Sequence, residues 1–383
     1  MVKVIEPGRR RGAVTVPSSK SIAHRELIAA ALSGAEPPVI RGESKDTLAT
    51  RNCLKAMMSG ESVWPCGESG TTLRLLEPIA GVMGWKGEFR CEGRLGERPR
   101  MPFEKKNRDV IPGNVSSQFI SGLLMALPLA DWDSEIVIDG PLQSEAYVRL
   151  TEDTLHESGI EIGKEGQTYF VKGGQRYRFA GGREVEGDWS QAAFFLAMDV
   201  EVKGLKADSH QGDRAVVDLL AAISTASGRG GGIPVATTLD VAQTPDLYPC
   251  LAATAAATGR EVAFTGTERL RLKESDRIAS TAALIEAVKG GNPVNTFGDH
   301  RIAMSAAVMA CYSDRPVTVE GAECVAKSYP GFWDDFESLE VTVEYTLSKG
   351  REGTLAAGRK SAFWGGSPDR VNATIGRVNA ASS

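Results

Sequence analysis

The sequence is short of the residues that build metal centres and cross-linked scaffolds. It has six cysteines (Cys53, Cys66, Cys91, Cys250, Cys311 and Cys324) with no CxxC pair, and four histidines (His24, His156, His210 and His300) without HxxxH spacing. Zinc sites and disulfide frameworks are therefore not expected, and the cysteines read as reduced thiols. No apolar run approaches the ~18–20 residues that a membrane span needs. The start Met1-Val2-Lys3-Val4-Ile5-Glu6-Pro7 has no apolar core of a secretory signal. These absences lead to the expectation of a cytoplasmic protein that does not engage a membrane. Basic charge is not in excess either, with 44 Lys+Arg against 49 Asp+Glu and a formal net charge of -5. A generic nucleic-acid binder carries a basic surface that displaces counterions, so any anion site here must be local.

What is present is an ordinary globular composition: 383 residues, 42% hydrophobic and 24% charged. At roughly 100–200 residues per domain that length suggests two or three compact units. Glycine is plentiful at 42 residues, which implies many tight turns or close backbone approaches. Short β-like runs such as Val14-Thr15-Val16 and Glu135-Ile136-Val137-Ile138 alternate with helical patterns, among them Lys20 to Leu32 and a stretch ending near Ala130. The class is α/β or α+β. Leu73, Leu76, Ile79 and Met83 keep helical spacing, as do Phe119, Leu123, Ala126 and Leu127, and few charges interrupt them, so these helices should be buried on several faces. From about Leu347 to Ser383 the chain turns basic among small residues and reads as a mobile tail or loosely docked extension.

The informative feature is a series of small polar and basic clusters placed where apolar helical patterns begin. Helix N-termini present unpaired N–H groups and partial positive charge, so each is a potential anion site. Lys20 and Arg25 flank the opening Pro17-Ser18-Ser19-Lys20-Ser21, where Ser19 or Ser21 can cap. Gly67-Glu68-Ser69-Gly70-Thr71-Thr72-Leu73-Arg74 is a glycine-bearing turn that lets a ligand approach the backbone at Gly70, although it lacks the Gly-Lys-Ser/Thr ending of a Walker sequence. Ser116, Ser117 and Gln118 open a third helix with side chains able to bond a polyhydroxylated or phosphorylated ligand. Asp188 with Gln191 three residues on has the pattern of a capping box. Asp246, in Thr244-Pro245-Asp246-Leu247, is either the cap of the next helix or a catalytic carboxylate. Arg271, Lys273, Glu274, Asp276 and Arg277 crowd one stretch, His300 and Arg301 open another helix, and Lys327 follows a β-like segment. Singly, each cluster is explained as well by capping or solvation. Together Lys20, Arg25, Arg74, Lys273, Arg277, Arg301 and Lys327 suggest a cleft for polyanions in a net-negative protein, with Asp246 and Glu274 as its proton-transfer groups.

With these residues assembled, the sequence resembles the 5-enolpyruvylshikimate-3-phosphate synthase family of enolpyruvyl transferases. The matching strings, in order from about Val14 to Leu339, are PSSKSIAHR, GESGTTLR, the ERP of Glu97 to Pro99, SSQF, PDLYP, LRLKESDR, GDHRIAM and AKSYPGF. The resemblance implies a two-lobed α/β fold of repeated βαβαββ units, with helix N-termini facing the cleft between lobes. Residues 1–18 and 187–343 would form one lobe, 19–186 the other, and 344–383 a tail. It further implies that phosphoenolpyruvate and shikimate 3-phosphate are the partners of a monomer, that phosphate is released, and that no metal or organic cofactor takes part. Lys20, Ser21, Arg25, Ser116, Ser117, Gln118, Ser144, Asp246 and Lys273 would hold shikimate 3-phosphate. Lys20, Gly70, Arg98, Gln118, Arg277, Arg301 and Lys327 would hold phosphoenolpyruvate. Asp246 and Glu274 would move protons while Lys20 and Lys327 stabilise developing charge.

The sequence also departs from that pattern. Few residues separate Asp46 from Gly67 and Met101 from Ser116, and shortening recurs near Gly228 to Ile233 and Lys289 to Pro293, so some repeat units should lose outer strands or loops. Arg100 intrudes after Arg98-Pro99, and Ala146 stands where the family often has proline. Two other readings are a UDP-N-acetylglucosamine enolpyruvyl transferase, which typically has a reactive cysteine where Gly93 stands, and a shortened member that binds anionic metabolites without turnover.

Overall fold

A computed structural model describes residues 1–226 and 237–342, and the backbone of Tyr345–Lys349 and Leu355–Arg359. Those last two strands pair antiparallel. The remainder of the expected tail, and the expected shortening at 228–233, fall outside the described residues. The chain divides into two compact units: Met1–Val16, Gly187–Ser209 and Asp213–Ser383 form one, and Pro17–Glu186 with His210–Gly212 form the other.

The unit built from Pro17–Glu186 contains α1 (Lys20–Ser33), α2 (Lys45–Met58), α3 (Gly70–Met83), α4 (Ser117–Ala126) and α5 (Glu145–Glu157). Helix α1 is rich in alanine and leucine and buries Leu27, Ile28, Ala29 and Ala30. It stops at Gly34, whose φ of 69° lets the Ala35 N–H reach back to Ala30 O at 2.9 Å. Helix α3 ends the same way at Gly84 (φ 64°), with Trp85 N–H on Ala80 O at 3.0 Å. Both are glycine-dependent stops that satisfy the last carbonyls. Leu73, Leu76 and Ile79 of α3 are buried, whereas Met83, at the end of the helix, is 43% exposed and leaves the expected stripe. Helices α3 and α4 touch where Gly122 meets α3, since a Cβ there would stand 2.2 Å from Arg74 O.

Among the described residues one complete βαβαββ unit is present. Strand Arg108–Pro112, α4, strand Ser134–Asp139, α5 and strands Ile162–Glu165 and Thr168–Val171 form a four-stranded sheet. Its first pair is parallel and the others antiparallel. The preceding repeat keeps only strands Val63–Gly67 and Glu88–Cys91, parallel across α3. Residues 98–107 then run without helix or strand to the next unit. Among the described residues the expected trimming is visible as strands that are not there, while α3 and α4 are intact.

The other unit holds α6 (Trp189–Ala197), α7 (Val216–Thr225), α8 (Tyr248–Ala257), α9 (Arg277–Gly290), α10 (His300–Tyr312) and α11 (Phe332–Glu337). Its sheets are small: Val2–Ile5 with Val317–Glu320 and Val294–Asn295, and two-stranded pairs elsewhere. Helix α10 is buried continuously from His300 to Cys311. Its all-round apolar sequence fits a central helix, and neighbouring Phe195, Tyr329, Phe332 and Phe336 pack ring against ring. Among the described residues no helix is long and apolar enough to cross a membrane.

Candidate active site

In the Pro17–Glu186 unit the polar groups gather at helix starts. Ser19 occupies the cap position of α1 without bonding its side chain to the first turn, so the expected serine cap is not made there. Lys20, the first residue of α1, donates to Asp46 Oδ2 at 2.8 Å. Asp46 lies in the first turn of α2, behind the Ser44–Thr47 capping box, where the helix dipole favours negative charge. Arg25 lies one turn into α1 and is 1% exposed. Its Nε donates to Thr151 Oγ1 (2.7 Å), and its Nη groups donate to Ser21 O (2.6 Å), Tyr147 O (2.7 Å) and Ser121 Oγ (3.2 Å). All four acceptors are neutral, and burial lowers the guanidinium pKa from 12.5 to about 10. A buried cation held only by dipoles is costly, and an anionic ligand beside it would offset that cost.

Ser69 and Ser116 cap α3 and α4, bonding Thr72 N–H and Gln118 N–H respectively. Gly70 is the first residue of α3, and a Cβ on it would meet Arg74 Nη1 at 3.0 Å and Arg98 Nη1 at 3.4 Å. Arg74 Nη1 donates to Gln118 Oε1 at 2.7 Å, and Gln118 Nε2 donates to Thr71 Oγ1 at 2.8 Å. Arg74 and Arg98 thus both lie against Gly70, and Arg74 links this turn to Gln118. Ser117 is buried beside Gln118, and Ser144 precedes α5 with φ 57°, a left-handed conformation uncommon for serine. The intruding Arg100 is held by Glu77 of α3 through an ion pair that raises its pKa, and so is spoken for outside this group.

The other unit collects a denser set. Asp246 sits in the one-turn helix Pro245–Leu247 ahead of α8, not as a side-chain cap of α8. The capping alternative is thereby set aside, and the carboxylate instead receives three cations. Lys273 Nζ and Arg277 Nη1 donate to Oδ1 at 3.2 and 2.7 Å, and Arg301 Nη2 donates to Oδ2 at 3.2 Å. Arg301 Nη1 also donates to Asp246 O at 2.8 Å. Arg277 reaches Glu274 Oε2 at 2.7 Å and Asp299 Oδ2 at 2.8 Å. Burial opposes its charge, but Asp299, Glu274 and Asp246 outweigh that effect and raise its pKa. Burial lowers the pKa of Lys273, and Asp246 offsets part of the shift. Arg277 and Arg301 are nearly inaccessible, whereas the side chains of Asp246 and Glu274 keep 21% and 15% exposure. Carboxylates fixed from behind by buried guanidiniums and open in front suit proton transfer. Lys327 is buried at the end of the turn Ala322–Lys327, which packs on α10.

Several supporting residues have no local signature in the sequence. Asp46, Ser121 and Thr151 act across 26, 96 and 126 residues on Lys20 and Arg25, separations that no short motif encodes. Asp299 lay inside GDHRIAM, and its dual use as the cap of α10 and partner of Arg277 emerges only in three dimensions. The capping box at Asp188 is half made: Asp188 accepts from Gln191 N–H, but the buried Gln191 amide finds no partner.

Comparison with known proteins settles the family. The family model described as EPSP synthase (3-phosphoshikimate 1-carboxyvinyltransferase) matches residues 4–105, 100–288 and 284–336. The chain belongs to the EPSP synthase family. A 3-phosphoshikimate 1-carboxyvinyltransferase of Clostridium kluyveri is 35% identical over 412 residues, covering 88% of this chain and 96% of that protein. One from Clostridium perfringens is 33% identical over 418 residues, with 88% and 97% covered. An EPSP synthase structure from Acinetobacter baumannii shares the fold, with a TM-score of 0.66, 22% identity, and coverage of 89% of this chain and 98% of that one. An alignment of 412 positions exceeds the 383 residues of the whole chain, so this EPSP synthase family member lacks segments that its relatives carry. Cys91, the thiol nearest the position of a reactive cysteine, ends strand Glu88–Cys91, and burial together with Cys66 pushes its pKa up to about 11. That environment does not make a nucleophilic thiolate.

Proposed function

We propose that this chain transfers the enolpyruvyl group of phosphoenolpyruvate to the 5-hydroxyl of shikimate 3-phosphate and releases phosphate, as the names of its relatives describe. The observation that carries the reading to these residues is the network on Asp246 and Glu274. Two partly open carboxylates share the buried Arg277, with Lys273 and Arg301 completing the shell of Asp246.

The chemistry needs a base for the shikimate hydroxyl and an acid for C3 of phosphoenolpyruvate. The hydroxyl oxygen bonds to C2 while C3 gains a proton, giving a tetrahedral phospho-ketal. The C2–O bond to phosphate then breaks, and the new methyl group loses a proton to restore the double bond. Asp246 and Glu274 take these proton transfers, and fixed cations beside them stabilise charge without reorganising during the reaction. Lys20 and Lys327 neutralise the phosphate and carboxylate as charge builds.

Shikimate 3-phosphate takes Lys20, Ser21, Arg25, Ser116, Ser117, Gln118, Ser144, Asp246 and Lys273. Arg25, surrounded by neutral acceptors, supplies uncompensated positive charge for its phosphate. Phosphoenolpyruvate takes Lys20, Gly70, Arg98, Gln118, Arg277, Arg301 and Lys327. One chain supplies every group named, so the reading needs no second copy, and six free thiols suit a reducing cytoplasm.

Phosphate release tests the reading directly. Release that requires both substrates and disappears in Asp246→Asn is expected. A folded protein that binds both substrates without releasing phosphate would instead be a metabolite-binding remnant.

A further inference from the structure

A cavity of about 230 Å³ lies within the Pro17–Glu186 unit between α3, α4, the strand Arg108–Pro112 and residues 98–107, which pass here without helix or strand. None of its lining residues is among those assigned above to either substrate. It sits where the trimmed repeat gives way to the complete one, and so belongs to the shortening that sets this chain apart from its relatives. An apolar cavity of roughly 150 Å³ is enough to hold benzene, so this one has room for a single ring with a short arm.

Its floor is apolar. Phe103 packs over Gly81 of α3, where any Cβ would collide with the ring, and Phe119, Leu123 and Ile111 are buried beside it. The charged groups around the cavity are matched, with one exception. Glu77 holds Arg100 in an ion pair, Glu104 pairs with Lys106 at 2.6 Å, and Arg108 faces Glu135 at 3.9 Å. Arg74 donates to Gln118 at 2.7 Å and lies 5.4 Å from the Phe119 ring. Asp109 makes no hydrogen bond or ion pair among the described residues. It shares a face of its strand with Ile111, whose side chain enters the core, so its carboxylate is turned inward over the apolar floor. Burial accordingly raises its pKa, Lys106 offsets part of that and Glu104 adds to it. A carboxylate that gives up hydration without gaining a donor is costly, and a cation set against it would offset that cost. Lys106 is the chain's own competitor for this place, but its ammonium is held by Glu104 at the exposed rim.

We propose that this cavity binds a small organic cation, a primary ammonium carried on an aromatic or other apolar ring, with the ammonium donating to Asp109 and the ring packed on Phe103, Phe119, Leu123 and Ile111. A neutral ring lacks the charge that Asp109 answers, and an anionic one is repelled by it. The site goes beyond the transfer reaction, since its ligand is a cation whereas both proposed substrates are anions.

The experiment is a titration of the full chain with benzylamine, and with benzyl alcohol as its uncharged analogue, followed by calorimetry and by NMR of the Met, Ile and Leu methyl groups. Benzylamine should bind one site with a Kd of about 1 mM or tighter, a range open to a ligand of its size, and should shift the methyl signals of Met101, Ile111 and Leu123. Benzyl alcohol should bind wild type at least tenfold more weakly, and benzylamine should bind Asp109→Asn at least tenfold more weakly, the loss expected when a hydrogen bond to a charged group is removed. Met101→Trp, which fills the space from residues 98–107 and leaves the carboxylate in place, should abolish binding. If Asp109→Asn does not fold, the benzyl alcohol comparison and Met101→Trp carry the same test. Equal affinities for benzylamine and benzyl alcohol, or for wild type and Asp109→Asn, overturn the proposal, because the carboxylate then selects nothing. Methyl shifts confined to other residues, or undiminished binding in folded Met101→Trp, overturn it by placing the ligand elsewhere. No saturable binding in the millimolar range overturns it in favour of Lys106 as the partner of Asp109. No arm of the experiment reads turnover, so its failure leaves the transferase reading intact.

Discussion

Replacing Gly70 by alanine is the sharpest probe of the proposed phosphoenolpyruvate subsite. The added Cβ would stand 3.0 Å from Arg74 Nη1, 3.4 Å from Arg98 Nη1 and 3.6 Å from Leu95 Cδ1. The first separation is shorter than carbon and nitrogen tolerate, so the Arg74 guanidinium must retreat by a few tenths of an ångström. It is not free to do so without consequence, because Nη1 is bonded to Gln118 Oε1 at 2.7 Å and Gln118 is bonded onward to Thr71. A hydrogen bond to a charged group contributes about 1.5–3 kcal/mol. At ~1.4 kcal/mol per decade, losing one such bond to phosphoenolpyruvate or to the residues that orient it raises KM about 10- to 150-fold. The backbone itself gives no penalty, since Gly70 begins a regular helix, and alanine is the better helix former by up to ~1 kcal/mol. The substitution therefore separates binding from folding. KM for phosphoenolpyruvate should rise by at least tenfold, KM for shikimate 3-phosphate should rise less because Gln118 is the one displaced group that it shares, and the melting temperature should not fall. Initial-rate kinetics with each substrate varied, together with thermal melts, provide the check. A phosphoenolpyruvate KM within twofold of wild type, or equal losses for both substrates, would refute the reasoning.

Lys20→Ala should lower turnover by about two orders of magnitude or more, read as phosphate release, whereas near-normal rates would remove Lys20 from the charge-stabilising role. Glyphosate should compete with phosphoenolpyruvate, and a non-competitive pattern in the inhibition kinetics would contradict the Gly70 subsite. Gly122→Ala would place a Cβ 2.2 Å from Arg74 O, so it should force α4 away from α3, destabilise the protein by about 1–3 kcal/mol in urea titrations and weaken the Gln118 interactions with them. His24 is buried against Thr50 and its pKa is lowered to about 3, chiefly by desolvation, so the folded state stays neutral while the unfolded chain takes up a proton near pH 6.5. Its contribution is full above pH 6.5 and is lost as pH falls toward 3. His24→Gln should flatten that acid-side loss, about 3 kcal/mol between pH 7.5 and 4.5, in denaturation curves at those two pH values.

Most of the ordered strings that mark the family were legible because they lie at helix starts, where composition and spacing are local, whereas the ERP of Glu97 to Pro99 ends a short turn. The openings at Lys20, Gly70, Ser117, Arg277 and His300 all became helix starts. Asp246 was harder to read, because Thr244-Pro245-Asp246 has the form of a cap, and only the arrival of Lys273, Arg277 and Arg301 shows that its carboxylate is used elsewhere. Met83 follows helical spacing yet is exposed, since periodicity continues to the last turn of a helix after the core has ended. Asp46, Ser121 and Thr151 were invisible for a different reason: each gains its meaning from a partner on another element, and no local pattern records that partner.

The trimmed repeat has a consequence for how the protein opens. Strand Ser134–Asp139 is bonded on both sides, to Arg108–Pro112 and to Thr168–Val171, whereas among the described residues Val63–Gly67 is paired only with Glu88–Cys91. Two-stranded pairs draw little protection from their own ladder. Amide hydrogens around the turn that delivers Gly70 will therefore exchange with solvent well before those of the complete sheet. The shortening has left the chemistry-bearing helices in place but has concentrated the least protected backbone beside one of them.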